Sequence, residues 1–293
     1  IPNTLKQKSV EFADVALDFL KKKGYDAKIY SNTEPLPDTA ELAVVLGGDG
    51  TILRASKRLY GKDIPIFGIN FGHLGYLSEV GSDGALEGLE QLTKGSYIIE
   101  KRLMLEGEVV RNNETMLEFV SLNEASIYRS TLLHALKIEV SINGKPTETL
   151  SADGVIVATP TGSTSYNLSA GGPVLTPTSN SIVITPVSPK FYPRSSIVTD
   201  GSDETEIKIS FETINETGFP CIEIDGDTRF ALQNGDMIKI RRIKWFYDNF
   251  GVVSAAKSAA IDIVALLAFS AYCLTLPFQF LWILCRGSKN GKL

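Results

Sequence analysis

Histidine and cysteine are scarce in this chain. Its 293 residues include two histidines, His73 and His134, and three cysteines, Cys221, Cys273 and Cys285. No Cys-x-x-Cys pair occurs. Neither a disulfide scaffold nor a structural zinc site is therefore expected, and the cysteines read as packing residues of a protein in a reducing compartment. Positive charge is not in excess either. Lys and Arg number 29 against 34 Asp and Glu, a net charge of −5, which argues against a nucleic-acid binder with its basic footprint. The first residue is Ile1, so no targeting segment is read from the N-terminus. Cytoplasm, or an organelle such as a mitochondrion or plastid, stays open as the location. What remains is ordinary globular composition, 43% hydrophobic and 22% charged. That is enough for one large domain or two smaller ones with a sizeable core.

Apolar spacing in residues 9–23 predicts a helix with Val10, Ala13, Leu17 and Leu20 inward, stopped by Gly24. Residues 25–30 alternate like a short strand. Residues 42–46 form a wholly apolar run, consistent with a buried parallel strand. A helix over 51–60, a strand over 64–69 and a helix over 85–93 (Leu86, Leu89 and Leu92 inward) complete a strand–helix–strand pattern. After residue 95 the texture changes to alternating segments. They cover 97–110, 118–128, 136–142, 155–158, 182–185, 206–211, 222–224 and 237–241, with the hairpin signal Asn143-Gly144 among them. The predicted architecture is α/β: a Rossmann-like nucleotide-binding domain over 1–95, then a β-rich, sandwich-like domain over 96–250. Residues 251–293 form a hydrophobic tail. Its stretch 263–285 carries no charge and, at about 23 residues, is long enough to span a bilayer.

Two clusters carry chemistry. The first is VVLGGDGTIL, residues 44–53, an apolar strand that breaks at Gly47, Gly48 and Gly50 before a helix. Such a loop presents backbone N–H groups and a helix N-terminus to phosphate. It is not a P-loop, because no G-x-x-x-x-G-K-[ST] occurs, and Leu53 stands where a dinucleotide fingerprint needs its third glycine. The anomaly is Asp49, which would repel phosphate unless it has another role. It could cap the helix before Thr51, hold a cation, or meet an attacking hydroxyl. The second cluster is Asp153-Gly154 followed by TPTGSTSY (159–166) and SAGGP (169–173). It crowds hydroxyls and glycines behind a strand, suited to ribose and phosphate oxygens or, more plainly, to a tight turn. Asn123-Glu124 at a strand end could read a ribose diol or a base edge. His134, among Leu132, Leu133, Ala135 and Leu136, reads by itself as a satisfied core or edge histidine rather than a ligand contact.

In this order and spacing, GGDGT, Asn123-Glu124, Asp153-Gly154 and TPTGSTSY…SAGGP resemble the NAD kinase family over residues 40–240. Ile184-Thr185-Pro186, Asp225-Gly226 and Gly235-Asp236 agree. The resemblance implies transfer of the ATP γ-phosphate to the 2′-hydroxyl of the adenosine ribose of NAD or NADH, with Mg²⁺ or another divalent cation. It implies Asp49 as proton acceptor, Gly47, Gly48, Gly50 and Thr51 beside nucleotide, and Arg54 reaching toward phosphate. Asn123, Glu124 and Asp153 would hold the dinucleotide with His134 nearby. Thr161, Gly162, Ser163, Thr164, Ser165, Tyr166 and Ser169 would line its channel. A homo-oligomer is also implied; no protein ligand to a metal is assigned.

Three places depart from that pattern. VSPKFYPRSSIV follows Thr185-Pro186 where a His-Ser-Leu is usual, and Asp227 stands where a glutamine is usual. The hydrophobic tail replaces the closing segment that should return to the first domain, which leaves three readings of 263–285 open: a membrane anchor, a helix packed on the protein, or an altered C-terminus from a splice or gene-model difference. Rivals are a diacylglycerol- or sphingosine-type lipid kinase, which shares GGDGT but not FGHLGYL (71–77), and a dinucleotide sensor without catalysis.

Overall fold

The computed structural model describes residues 7–255, except 32, 73–74, 79, 130–134, 192–194, 212–218 and 244–249. Helix α1 (Gln7–Lys22) opens it and ends before Gly24, whose φ of +90° lets the chain turn away. Its buried stripe is Ser9, Ala13 and Ala16, with Phe12 and Phe19 beside it. Val10, expected inward, is 41% exposed. The stripe is turned onto small residues because the Ser9 hydroxyl donates to the Leu46 carbonyl at 2.6 Å, which holds α1 close to the sheet. Residues 25–30 stay irregular despite their alternation. That expected strand has no partner ladder among the described residues.

Strands β1 (Ala43–Leu46) and β2 (Ile66–Asn70) pair in parallel, Ala43 with Ile66 through Leu46 with Ile69. Between them α2 (Asp49–Leu59) makes the crossover. β2 is buried along its whole length, as a strand covered on both faces must be. The short β3 (Val80–Gly81) joins β2. Helix α3 (Ala85–Thr93) buries Ala85, Gly88 and Leu89, while Leu86 points outward at 47% exposure, contrary to expectation. β4 (Tyr97–Arg102) follows.

The middle of the chain is two six-stranded antiparallel sheets. Its strands are β5 (Leu105–Arg111), β6 (Glu114–Ser121), β7 (Glu124–Tyr128), β8 (Leu136–Ile142), β9 (Lys145–Ala152) and β10 (Gly154–Ala158). After the short helix α4 (Tyr166–Ser169) come β11 (Ser181–Val187), β12 (Ile197–Asp200), β13 (Thr205–Ser210), β14 (Cys221–Ile224), β15 (Thr228–Ala231) and β16 (Met237–Arg242). One sheet runs β6-β5-β16-β13-β8-β9, the other β12-β11-β10-β7-β14-β15. Ile127, Val155, Val157, Ile184 and Ile222 of the second face Val109, Ile138, Val140, Ile207 and Ile238 of the first in one core. This is the predicted sandwich-like domain. The Asn143-Gly144 turn between β8 and β9 has φ of +52° and +72°, the two left-handed residues a tight hairpin needs.

The last described strand corrects an expectation. β17 (Phe250–Ala255) returns to the first sheet, pairing Val252 with Ile66 in parallel and running antiparallel to β4 from Phe250/Arg102 to Ala255/Tyr97. The order there is β1-β2-β17-β4. The closing segment is thus present in front of the tail, and the first sheet takes strands from both ends of the β-rich stretch. Residues 263–285 lie outside the described residues. Among the described residues no helix is long and apolar enough to cross a membrane.

The two domains share a core. Ile52, Leu53, Ala55 and Leu59 of α2 pack with Leu122, Met104 and Ile243 from the β-rich side. Leu122 is fully buried and directly precedes Asn123. We expect Leu122→Ala to destabilise the protein by about 2–5 kcal/mol, read as a lower urea midpoint with unchanged slope. A loss below roughly 1 kcal/mol would mean that the seam repacks around the missing side chain.

Candidate active site

The phosphate half of the site is the turn from β1 into α2. Gly47 is buried, and a Cβ there would lie 2.4 Å from the Thr51 Oγ1, so only glycine permits the close approach of the buried Thr51. Gly48 is the N-cap residue, extended, with no side-chain cap on the helix. The first-turn amides of α2 are therefore not blocked by a capping side chain. Gly50 and Arg54 are exposed. The Arg54 Nη1 lies 3.8 Å from where a Gly50 Cβ would be, so the guanidinium leans back over the helix N-terminus.

Asp49 is not the cap. Its half-buried carboxylate crosses to the loop after β2, accepting the Tyr76 N–H on Oδ2 at 2.8 Å and the Leu77 N–H on Oδ1 at 3.2 Å. Gly75 makes this possible, because a Cβ there would sit 2.1 Å from Oδ1. Asn70 shapes the same loop by accepting from the Gly72 N–H at 2.7 Å and donating to the Ser78 hydroxyl at 3.0 Å. Each carboxylate oxygen of Asp49 keeps acceptor capacity beyond its one amide.

The second half is built around Asn123 and Glu124, both buried. Gly162 packs so tightly on them that a Cβ would meet the Asn123 carbonyl oxygen at 2.1 Å. The Ser165 hydroxyl donates to Glu124 Oε1 at 3.2 Å. Three buried polar atoms here have no partner among the described residues: Asn123 Oδ1, Glu124 Oε2 and Thr161 Oγ1. Buried polar groups are ordinarily satisfied, so three orphans on neighbouring residues are an unusual concentration of unused hydrogen-bonding capacity. Burial first, and the Asp225 charge second, push the Glu124 carboxyl up to about 8. At neutral pH it is held mainly as the neutral acid, so its free oxygen can carry a proton to donate.

One residue arranges this pocket. Asp225 accepts on Oδ1 from the Ser121 hydroxyl (2.6 Å) and the amides of Asn123 (2.9 Å) and Glu124 (3.1 Å), and on Oδ2 from the Leu122 amide (3.1 Å). It sits with Gly226 in the turn between β14 and β15, at φ of +50° and +71°. Asn167 does the same for the Ser/Thr/Gly loop. Its Nδ2 donates to the carbonyls of Ser163 and Pro173, and its Oδ1 accepts from the Thr185 hydroxyl. Sequence reasoning assigned roles to neither, nor to Gly75. The available signals were the Asp-Gly turn and the Gly72-x-x-Gly75 spacing.

The remaining candidates are distributed unevenly. Thr164 and Ser165 are half-buried beside the pocket, and Tyr166 and Ser169 are exposed on α4. Ser163 is fully buried, and its hydroxyl is used within the loop, donating to the Pro160 carbonyl at 2.6 Å and accepting from the Leu175 N–H at 3.0 Å. Asp153 lies at the other end of β10 from the strand register that pairs Ala158 with Glu124, about five residues or roughly 16 Å away. It is ion-paired with Arg129. His134 lies outside the described residues.

The Glu124 shift has a stability consequence. Unfolded, this carboxyl titrates near 4.5, and folded, up at about 8. The folded state therefore keeps a proton that the unfolded state loses, so stability is full below pH 4.5 and falls as pH rises toward 8. We expect Glu124→Gln to be more stable than the parent at pH 8, with the advantage shrinking by pH 5, as measured by urea unfolding of the ligand-free protein. Equal pH slopes in the two proteins would assign the proton to another group.

Comparison with known proteins adds to this geometry. The family model described as ATP-NAD kinase N-terminal domain matches residues 4–97, and the ATP-NAD kinase C-terminal domain matches residues 122–244. A curated NAD kinase of Agathobacter rectalis is 37% identical over 253 residues, 83% of this chain and 88% of its own. One from Geobacter metallireducens is 39% identical over 210 residues, 72% of this chain and 73% of its own. Among solved structures, yeast NADH kinase complexed with NADH superposes with a TM-score of 0.69 at 24% identity, covering 86% of this chain and 75% of that one. An NAD kinase from Archaeoglobus fulgidus in complex with ATP gives 0.71 at 22%, covering 90% and 96%. These two likenesses bear on the fold. With both domains matched in order and bacterial relatives aligned along most of their length, this chain belongs to the NAD kinase family.

Proposed function

We propose that the chain transfers the γ-phosphate of ATP to the 2′-hydroxyl of the adenosine ribose of NAD or NADH, with Asp49 receiving the hydroxyl proton. The observation that carries this reading is the seam itself. A carboxylate with spare acceptor capacity stands at the start of α2, and Asn123 and Glu124, which carry two of the three orphaned atoms, directly follow Leu122, which packs on that same helix. The acid O–H of Glu124, the Asn123 amide oxygen and the Thr161 hydroxyl suit a nucleoside's hydroxyls and base edge. The uncapped turn and Arg54 suit the phosphates of the donor.

The chemistry asks little of the protein before bond breaking. Phosphoryl transfer passes through a loose transition state, so early deprotonation of the hydroxyl is unnecessary. Asp49 orients the hydroxyl through an oxygen lone pair and takes the proton late. The α2 amides and Arg54 meet charge on the phosphoryl oxygens. Among the described residues no three His, Cys, Asp or Glu converge on a metal position. In this reading the divalent cation travels with the triphosphate of ATP, as part of the substrate. Homo-oligomeric assembly belongs to the same reading.

The test is NADP(H) formation from ATP with NAD and with NADH. Asp49→Asn is expected to fold, with some loss of stability because its amide NH₂ would face one of the two backbone N–H donors. Its turnover should fall roughly 10²–10⁴-fold. Near-normal turnover in that variant would reduce Asp49 to a loop-holding residue.

A further inference from the structure

We infer that Lys57 is a positioning residue for phosphoryl transfer, an interdomain clamp that fixes the Asn123–Glu124 pocket relative to Asp49. This rests on the function proposed above. Lys57 is on α2, about two helical turns beyond Asp49. Its ammonium leaves the first domain and enters the turn between β14 and β15. There it donates to the Ile224 carbonyl at 3.0 Å and to Asp227 Oδ1 at 2.6 Å, and stands 3.6 Å from Asp225 Oδ2. The lysine side chain is 17% exposed, that of Asp225 fully buried and that of Asp227 32% exposed.

The consequence is a short mechanical path. Asp49 and Lys57 are fixed to each other by one helix. Lys57 holds the turn, and Asp225 in that turn grips the amides of Leu122, Asn123 and Glu124. The proton acceptor and the acceptor-ribose pocket are thus linked through one helix and two side chains, Lys57 and Asp225. Asp227, which departs from the glutamine usual in the resembling family, is here a second anionic partner for the clamp. Positioning of this kind acts on the chemical step, since a misplacement of about 1 Å can lower a rate some 10²-fold.

Lys57→Met keeps the apolar stem and removes the ammonium. In full-length protein assayed well below its melting temperature, it is expected to lower kcat for ATP plus NAD by roughly 10–100-fold. The dissociation constant of NAD alone should change much less, by under about threefold. Lys57→Arg, which keeps charge and reach, should restore kcat to within about threefold of the parent. Asp227→Asn should cost about 2–5-fold in the parent and nothing further in Lys57→Met. A merely structural lysine would lower the melting temperature and leave kcat per folded molecule unchanged, and that result overturns the inference. So does an Asp227→Asn loss that adds fully to that of Lys57→Met. Should Lys57→Met fail to fold, Asp227→Asn decides alone: a lower kcat with NAD binding intact supports the clamp, and an unchanged kcat removes it. A parent chain that makes no NADP from ATP and NAD fails the proposed function itself, which the activity of the parent reports separately.

Discussion

The Asp225 carboxylate is the point at which three parts of the molecule are joined. An isolated buried carboxylate is disfavoured by several kcal/mol. This one is surrounded by a hydroxyl, three backbone amides and the Lys57 ammonium. Hydrogen bonds to a charged group contribute about 1.5–3 kcal/mol each, so together these donors offset its desolvation. They also fix residues 121–124, with the N–H groups of 122–124 turned to Asp225. The side chains of Asn123 and Glu124 are then left with polar atoms that the protein does not satisfy. The fixed negative charge nearby acts with burial to keep Glu124 protonated. Pocket shape and domain orientation follow from that one group, and it adds to the burial that keeps the pocket proton in place.

Asp49 and Asp225 use the same device to opposite ends. Both carboxylates are held by backbone amides from a distant loop. Asp225 is fully buried and its acceptor sites are nearly used up. Asp49 is half-buried and, among the described residues, is given two amides. Saturation makes the first a strut, and incompleteness leaves the second able to accept from a substrate. Glycine sets the geometry in each half. Gly75 admits the Asp49 carboxylate where a methyl would stand 2.1 Å away, and Gly162 lies against the Asn123 carbonyl at the same separation. An acid inside a phosphate-binding loop is therefore not left to repel its ligand. The loop after β2 draws it aside.

Much of this was legible in the sequence, for identifiable reasons. Alternation located β8, β10, β11, β13, β14 and β16, because each has one face or both in a continuous apolar core. The GGDGT loop and the Ser/Thr/Gly loop stand out because glycine and hydroxyl residues are dense and local. What stayed hidden is non-local. The donors to Asp49 are amides 27 and 28 residues away, and backbone amides have no sequence signature. Lys57 reads as an ordinary solvated helix residue until its partner 168 residues on is placed beside it. Val10 and Leu86 match helical spacing yet face outward, since packing against a sheet is decided by which small residues permit close approach. β17 was masked by the apolar tail that follows it.

The orphaned atoms of the pocket show how stability and recognition are traded here. Each buried polar group without a partner costs about 1–3 kcal/mol, and Asn123, Glu124 and Thr161 contribute three such atoms among the described residues. The sandwich core and the α2–Leu122 seam must outweigh that burden. A ligand that pairs with all three removes the penalty on binding. One that lacks a matching hydroxyl or base edge leaves part of it in place, now sealed from water. Discrimination by absence of a partner is stronger than discrimination by apolar fit. A pocket built from unsatisfied groups therefore selects its nucleoside by what the wrong ligand fails to supply, and the rigidity imposed through Asp225 prevents the protein from supplying it instead.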